Sequence, residues 1–224
     1  PKILIKDNEI ILSKLNLFLP LKYFFTSDFI LQKAEVAFYK NDIKDLIKVT
    51  SLFLHKIVNK QLNKIFLTGS VEGEFSIPFD EDGKIGKNYS FEGKILESSI
   101  NITKEIPIRN LTAEINHRKI SNTDAFEVLI KKGTFYNIDL SNSKIDVKRK
   151  NGFIEVENSL FTKGKIDSKL AKMSLSFLKL NEEIKEVNGI VDLETKFNFN
   201  LNKNYKIKKT KHLTEGKIDN LEIK

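Results

Sequence analysis

The chain has 224 residues and 40% hydrophobic content, enough to bury a sizeable core in one large β domain or two small ones. Its net charge of +8 is almost all lysine, the only arginines being Arg109, Arg118 and Arg149, and a chain so rich in Lys, Ile, Asn and Phe has the composition of an AT-rich genome, so basicity alone does not argue for a nucleic-acid partner. With no cysteine, disulfides and thiolate metal sites are excluded.

The sequence opens at Pro1 inside an apolar run and has one methionine, Met173, so it reads as a fragment of a longer protein. Residues 10–31 are nearly apolar enough to span a membrane, but Lys14, Pro20, Lys22 and Asp28 interrupt them, and any signal or anchor is expected upstream. Over residues 1–40, alternation predicts short strands, clearest at Leu15, Leu17, Leu19 and Leu21 and then at Ile30, Ala34, Val36 and Phe38.

Between 41 and 66 the period lengthens. Ile43, Leu46, Ile47, Phe53, Leu54, Ile57, Val58, Leu62 and Ile65 recur at steps of three and four, which predicts one amphipathic helix. Asn41 or Asp42 can cap it, Asp45 suits the positive end of its dipole, and Lys60 and Lys64 suit the negative end. The lysines opposite the stripe, from Lys44 to Lys64, read as the solvated face of a helix packed on a sheet.

From 67 to 224 the period returns to two. Apolar residues alternate at Phe75, Ile77, Phe79; at Ile106, Ile108; at Leu111, Ala113, Ile115; at Tyr136, Ile138, Leu140; and at Ile145, Val147. The pattern continues through Met173, Leu175, Phe177 and through Val191, Leu193, Phe197, Phe199, Leu201, with Thr195 as the one break in the last run. Asn151-Gly152 between two alternating segments is the signature of a two-residue hairpin, and Asp82-Gly83 and Asn188-Gly189 are further turn candidates. A charged residue followed by glycine recurs at unequal intervals ahead of predicted strands, at Gly73, Gly93, Gly133, Gly164 and Gly216. Residues 202–211 are polar and lysine-rich, which predicts a loose connection before a last strand over 216–223. The expected organisation is one continuous domain: strands over 1–40, a helix over 41–66 and an antiparallel meander over 67–224.

Strict alternation means one wet and one dry sheet face. A helix of about 24 residues is about 36 Å long and covers only part of a sheet of many strands. Either the sheet closes on itself as a sandwich, or it curls into an elongated, twisted half-pipe whose apolar side stays open to a guest.

Two early segments, 11–21 (ILSKLNLFLPL) and 29–38 (FILQKAEVAF), resemble the opening strands of the AsmA-like family, which includes the YhdP and TamB branches. Three later ones are similar to the YhdP branch: 67–79 (LTGSVEGEFSIPF), with its proline-containing apolar tip, 89–95 (YSFEGKI) and 106–111 (IPIRNL). The resemblance is one of pattern over most of the chain. It implies a periplasmic, inner-membrane-anchored bridge whose β groove passes phospholipid toward the outer membrane, with acyl chains, adjoining segments of the same long chain and the membrane as partners.

The remaining signals have bland readings. His55, His117 and His212 lack metal-ligand spacing, and the acids 80–82 before Gly83 lack the rest of a calcium loop. Asn88, Asn101 and Asn110 head acceptor triplets that chance supplies often in an asparagine-rich chain. There is no phosphate loop, nucleophile elbow or cysteine nucleophile, so neither an enzyme nor a cofactor is expected. The residues expected to line the lipid face are Phe75, Ile77, Phe79, Ile106, Ile108, Tyr136, Ile138, Leu140, Ile145, Val147, Leu175, Phe177, Leu193, Phe197 and Phe199. Competing readings are a closed adhesive or partner-binding sandwich, and a polyanion binder using Lys148, Arg149, Lys150 and the lysines of 206–211.

Overall fold

The computed structural model describes residues 2–5, 8–21, 30–50, 56–103, 106–150, 152–177, 186–202 and 207–223. Among them the protein is mainly β, with three short helices. The first stretch holds β1 (Lys2–Ile5), β2 (Asn8–Phe18), β3 (Lys33–Asp42), α1 (Ile43–Thr50), α2 (Lys56–Ile65) and β4 (Phe66–Pro78). There follow β5 (Ser90–Thr103), β6 (Ile106–Ile120), β7 (Thr123–Phe135), β8 (Ile138–Asp139), β9 (Lys144–Lys150) and β10 (Phe153–Asp167). Last come α3 (Ser168–Phe177), β11 (Val187–Leu201) and β12 (Ile207–Ile223).

All strand pairs are antiparallel, and each strand lies beside its predecessor except β9, which pairs with β7 and β10. The short strands β8 and β9 share one lane between β7 and β10, so their pairings form a small four-strand ring around the bulged residues 140–143. Ser143 holds that bulge: its hydroxyl donates to the Phe161 carbonyl (3.2 Å) and accepts from the Phe161 amide (2.9 Å). Among the described residues β1 and β12 do not pair, so the meander is open at both edges.

β9 and β10 form the hairpin predicted at Asn151-Gly152, with Lys150 opposite Phe153 and Gly152 at φ +78°; Asn151 lies outside the described residues. The Asp82-Gly83 turn is also present. The Asp80 carboxylate accepts from the amides of Asp82 and Lys84, and Phe79 bridges Ile85 beneath it.

Several expectations are corrected. The single helix over 41–66 is two helices, α1 and α2, with Phe53 and Leu54 outside the described residues. Asn41 does not cap α1, because its buried amide ties β2 to β3: it donates to the carbonyls of Ile11 and Tyr39 and accepts from the Ile11 amide. Asp42 is the cap, its carboxylate accepting from the Lys44 amide at 2.7 Å.

Met173, Leu175 and Phe177 lie in helix α3, not in a strand. Asp167 starts that helix by accepting from the Leu170 amide (2.9 Å), and Leu170 and Met173, three apart, pack on one side of it. A three-residue helical step can pass for alternation when a third apolar residue falls between. Asn188-Gly189 is no turn but lies within β11, opposite Asp167 and Ile166. The recurrent glycines lie inside strands rather than ahead of them, and Gly73 pairs directly with Gly93. Lastly, 207–211 is part of β12, because pairing with β11, which sends Lys209 and Lys211 to the charged face, overrides the poor strand propensity of lysine.

The helices all sit at one end of the sheet. α1 and α2 connect the end of β3 to the start of β4, and α3 connects the end of β10 to the start of β11. The turns at Asp82-Gly83 and Ser121-Asn122 and the closed end of the β9–β10 hairpin lie at the opposite end.

Candidate functional site

The register sets the residues of one face side by side in rows that cross the sheet from β3 to β11. One row runs Val36, Phe75, Phe91, His117, Phe126, Val147, Val156, Phe199. The row beside it runs Phe38, Gly73, Gly93, Ile115, Val128, Ile145, Asn158, Phe197. The intervening residues point to the other face, where Glu74, Glu92, Asn116, Glu127, Asp146, Glu157 and Asn198 follow one another. From β3 to β11 the sheet therefore has one mostly apolar and one charged face.

Cover on the apolar face is uneven. At the helical end, α1 lays Ile43 and Ile47 on Phe38, Val71 and Ile95, and α3 lays Leu170 on Ile138 and Val191; all of these are buried. Between them Ile108, Leu111, Ala113 and Ile130 form a third cluster. Each cluster joins neighbouring strands, and none joins strands far apart in the order, as a sandwich core would. Toward the hairpin tips the face is only half-buried at Phe75, Phe91, Ile115, Val128, Ile145, Val147, Phe197 and Phe199, and Phe126 is 42% exposed.

The open part is rich in aromatic rings. Phe75 and Phe91 face each other with centroids 4.6 Å apart, and Phe38 reaches over Gly73 to stack on Phe91 at 6.2 Å. His117 stacks on Phe126 at 3.9 Å, and Phe197 lies 5.5 Å from Phe199. Three polar atoms interrupt this face, the buried and unpartnered His117 Nε2, Asp124 Oδ1 and Asn158 Oδ1. His117 Nε2 and Asp124 Oδ1 are 3.7 Å apart, and burial holds the His117 pKa below its ordinary value against the pull of Asp124.

The expected lining residues divide accordingly. Phe75, Ile77, Ile145, Val147, Phe197 and Phe199 lie on the open apolar face, and Phe79 follows Ile77 at its tip. Leu193 and Leu140 lie against buried clusters, Ile106 lies at the helical end of β6, and Ile108 and Ile138 are buried in the clusters themselves. Tyr136 is corrected: it sits at φ +52° in the two-residue loop joining β7 to β8, with the Lys169 ammonium over its ring. Leu175 and Phe177 belong to α3, and their side chains are outside what the structure describes. Phe91, Phe126, Val128 and Val156 were missed: Gly93 and Asn158 break the alternation beside Phe91 and Val156, whereas Phe126, Val128 and Ile130 alternate and carried a signal that could have found them.

The charged face carries exposed ion pairs: Arg118 with Glu92, Lys131 with Glu114, Lys163 with Asp192, and Lys144 with both Glu127 and Asp146. Hydrogen bonds to those two carboxylates raise the Lys144 pKa, and a hydrogen bond to Asp192 raises that of Lys163. This face also holds an open trough of about 620 Å³ over β3 to β7, with Gly73 and Gly93 among the residues lining it and Glu72, Glu74, Glu92, Glu114, Glu127 and Lys94 around it. Its carboxylates make it unsuitable for an acyl chain. Among the described residues no group of His, Asp and Glu could hold a metal ion, and no helix is long and apolar enough to cross a membrane. Comparison with known proteins finds no matching family model, no matching curated protein and no matching solved structure.

Proposed function

We propose that the apolar face binds the acyl chains of phospholipid, as one segment of an AsmA-like bridge that is anchored in the inner membrane and passes lipid through the periplasm. The observation that carries this reading is the extent of the face: two rows of mostly apolar residues stay in register from β3 to β11, with Gly73, Gly93, His117 and Asn158 among them, while the helices cover only one end. An apolar surface of that extent left open to water is costly, and at about 25 cal/mol per Å² an acyl chain covering a few hundred Å² recovers several kcal/mol.

The aromatic rings provide broad contact without fixed polar positions, which suits chains that slide. Curling of the sheet into a half-pipe around the chains, and extension of the face by adjoining segments of a longer chain, belong to the same proposal. A closed adhesive sandwich is the competing reading, and the confinement of each buried cluster to neighbouring strands weighs against it. The test is organic extraction and mass spectrometry of the protein purified from bacteria without detergent. Co-purifying phospholipid in stoichiometric amount is expected, and lipid-free protein with the same fold would refute the proposal.

A further inference from the structure

The apolar face ends in charge at the hairpin end of the sheet. One step beyond the row that holds Phe91, His117 and Phe126, and on the same face, the register sets Tyr89, Lys119, Asp124, Arg149 and Ile154 side by side. The rings confirm the placement of Tyr89, which lies edge-on to His117 at 5.4 Å. Three of these five residues are charged, whereas the two rows behind them, from Val36 to Phe199 and from Phe38 to Phe197, hold no Lys, Arg, Asp or Glu.

The two cations of this row are not neutralised within it. Asp124 stands between them in the register, yet its Oδ1 is buried 3.7 Å from His117 Nε2, and among the described residues neither Lys119 nor Arg149 makes an ion pair. Lys119 instead rests its ammonium 5.2 Å from the centre of the Tyr89 ring, and Arg149 is exposed. Their backbones are two strands apart, about 10 Å, a gap that two long side chains can close on one phosphate. The row carries one net positive charge, which the single negative charge of a phosphodiester balances.

The face behind the row has a matching length. β6 runs about 14 Å from Lys119 to Ile115, and past Ile115 begins the buried cluster that includes Ala113. One leaflet of a bilayer is about 15 Å of hydrocarbon deep, half of its apolar core. The open face is thus about one acyl chain long and is cationic at one end only.

We propose that Lys119 and Arg149 hold the phosphate of a phospholipid whose acyl chains lie along the strands behind them, with the headgroup at the hairpin end and the chain ends toward the helices. Arg149 offers a planar fork to two phosphate oxygens, and Lys119 adds a point charge steadied by the Tyr89 ring. The inference rests on the acyl-chain reading of this face and adds to it a headgroup class and an orientation.

Two short-chain lipids that dissolve as monomers, dihexanoyl phosphatidylglycerol and dihexanoylglycerol, test it, because they carry the same chains with and without the phosphate. Each is titrated calorimetrically into the whole chain, delipidated on a hydrophobic resin, into the Lys119→Gln/Arg149→Gln variant and into Lys148→Gln, which removes a cation of the charged face at the same end. Thermal melting shows that each protein folds. The parent and Lys148→Gln are expected to bind the phospholipid at least about tenfold more tightly than the diacylglycerol. The double variant should bind the two lipids alike, with the parent's affinity for the diacylglycerol. Inorganic phosphate, the other source of the same chemistry, should bind the parent at least about tenfold more weakly than the phospholipid does.

A parent that binds both lipids equally would overturn the headgroup site without recourse to any variant, and leave the acyl-chain reading in place. So would a preference that survives in the double variant, a preference lost equally in Lys148→Gln, or inorganic phosphate binding as tightly as the phospholipid. A parent that binds neither lipid would overturn both readings together.

Discussion

Gly73 and Gly93 face each other across β4 and β5, and neither has room for a methyl group. A Cβ on Gly73 would stand 2.6 Å from the Glu92 carbonyl oxygen, one on Gly93 would stand 2.6 Å from the Glu72 carbonyl oxygen, and both would strike the Phe91 ring. The ring lies over the space that two side chains would otherwise fill, so the pair fixes where the aromatic cluster sits. Gly93→Ala is therefore expected to destabilise the protein by about 1–3 kcal/mol through overpacking. Urea unfolding checks this, and the loss should be larger than for Gly133→Ala, where a Cβ meets only side chains at ordinary contact distance, the nearest 3.4 Å away on Leu111.

Much of this arrangement was legible in the sequence. The dry face of the sheet could be read from Phe75 to Phe199 because a period of two survives whatever the tertiary partner. What could not be read were the places where chain geometry overrides the period. Bulges at Asn110 and near Glu97 turn Ile108 and Ser98 inward, and a capping carboxylate at Asp167 converts an apparent strand into α3. Cover was also hidden, since no local pattern says that Ile138 lies under Leu170 while Ile145, seven residues later, lies in the open.

The start of α3 is capped by a hydrogen bond from the Leu170 amide to Asp167. Asp167→Ala should cost about 1 kcal/mol, and Asp167→Asn much less, because the amide oxygen still accepts that bond. Thermal melting of the two variants side by side gives the comparison. Equal losses would mean that the carboxylate acts through its charge instead.

His117 predicts a pH dependence. Burial against Phe126 lowers its pKa in the folded protein below the usual value of 6.5, so the fold favours the neutral ring. The stability tied to this group is complete above 6.5 and is lost as pH falls from there through the lower folded value. The drop in melting temperature between about pH 7.5 and pH 5.5 should shrink in His117→Gln, whose side chain does not titrate.

Substitutions on the two faces should differ in kind. Lys144→Met removes two exposed ion pairs, with Glu127 and Asp146, and should change stability by less than about 1 kcal/mol. Phe75→Ala opens a gap between Phe38 and Phe91 and should cost about 2–4 kcal/mol. Chemical denaturation of both variants separates the structural weight of the two faces.

The central claim is that acyl chains lie on the apolar face and nowhere else. Photo-crosslinking tests it most directly, with benzoylphenylalanine placed in turn at Phe126 and Phe197 on that face and at Leu129 and Phe161 on the charged face, in cells making their own phospholipid. Lipid adducts should form at Phe126 and Phe197 and be absent at Leu129 and Phe161. Adducts at all four positions alike, or at none, would contradict it.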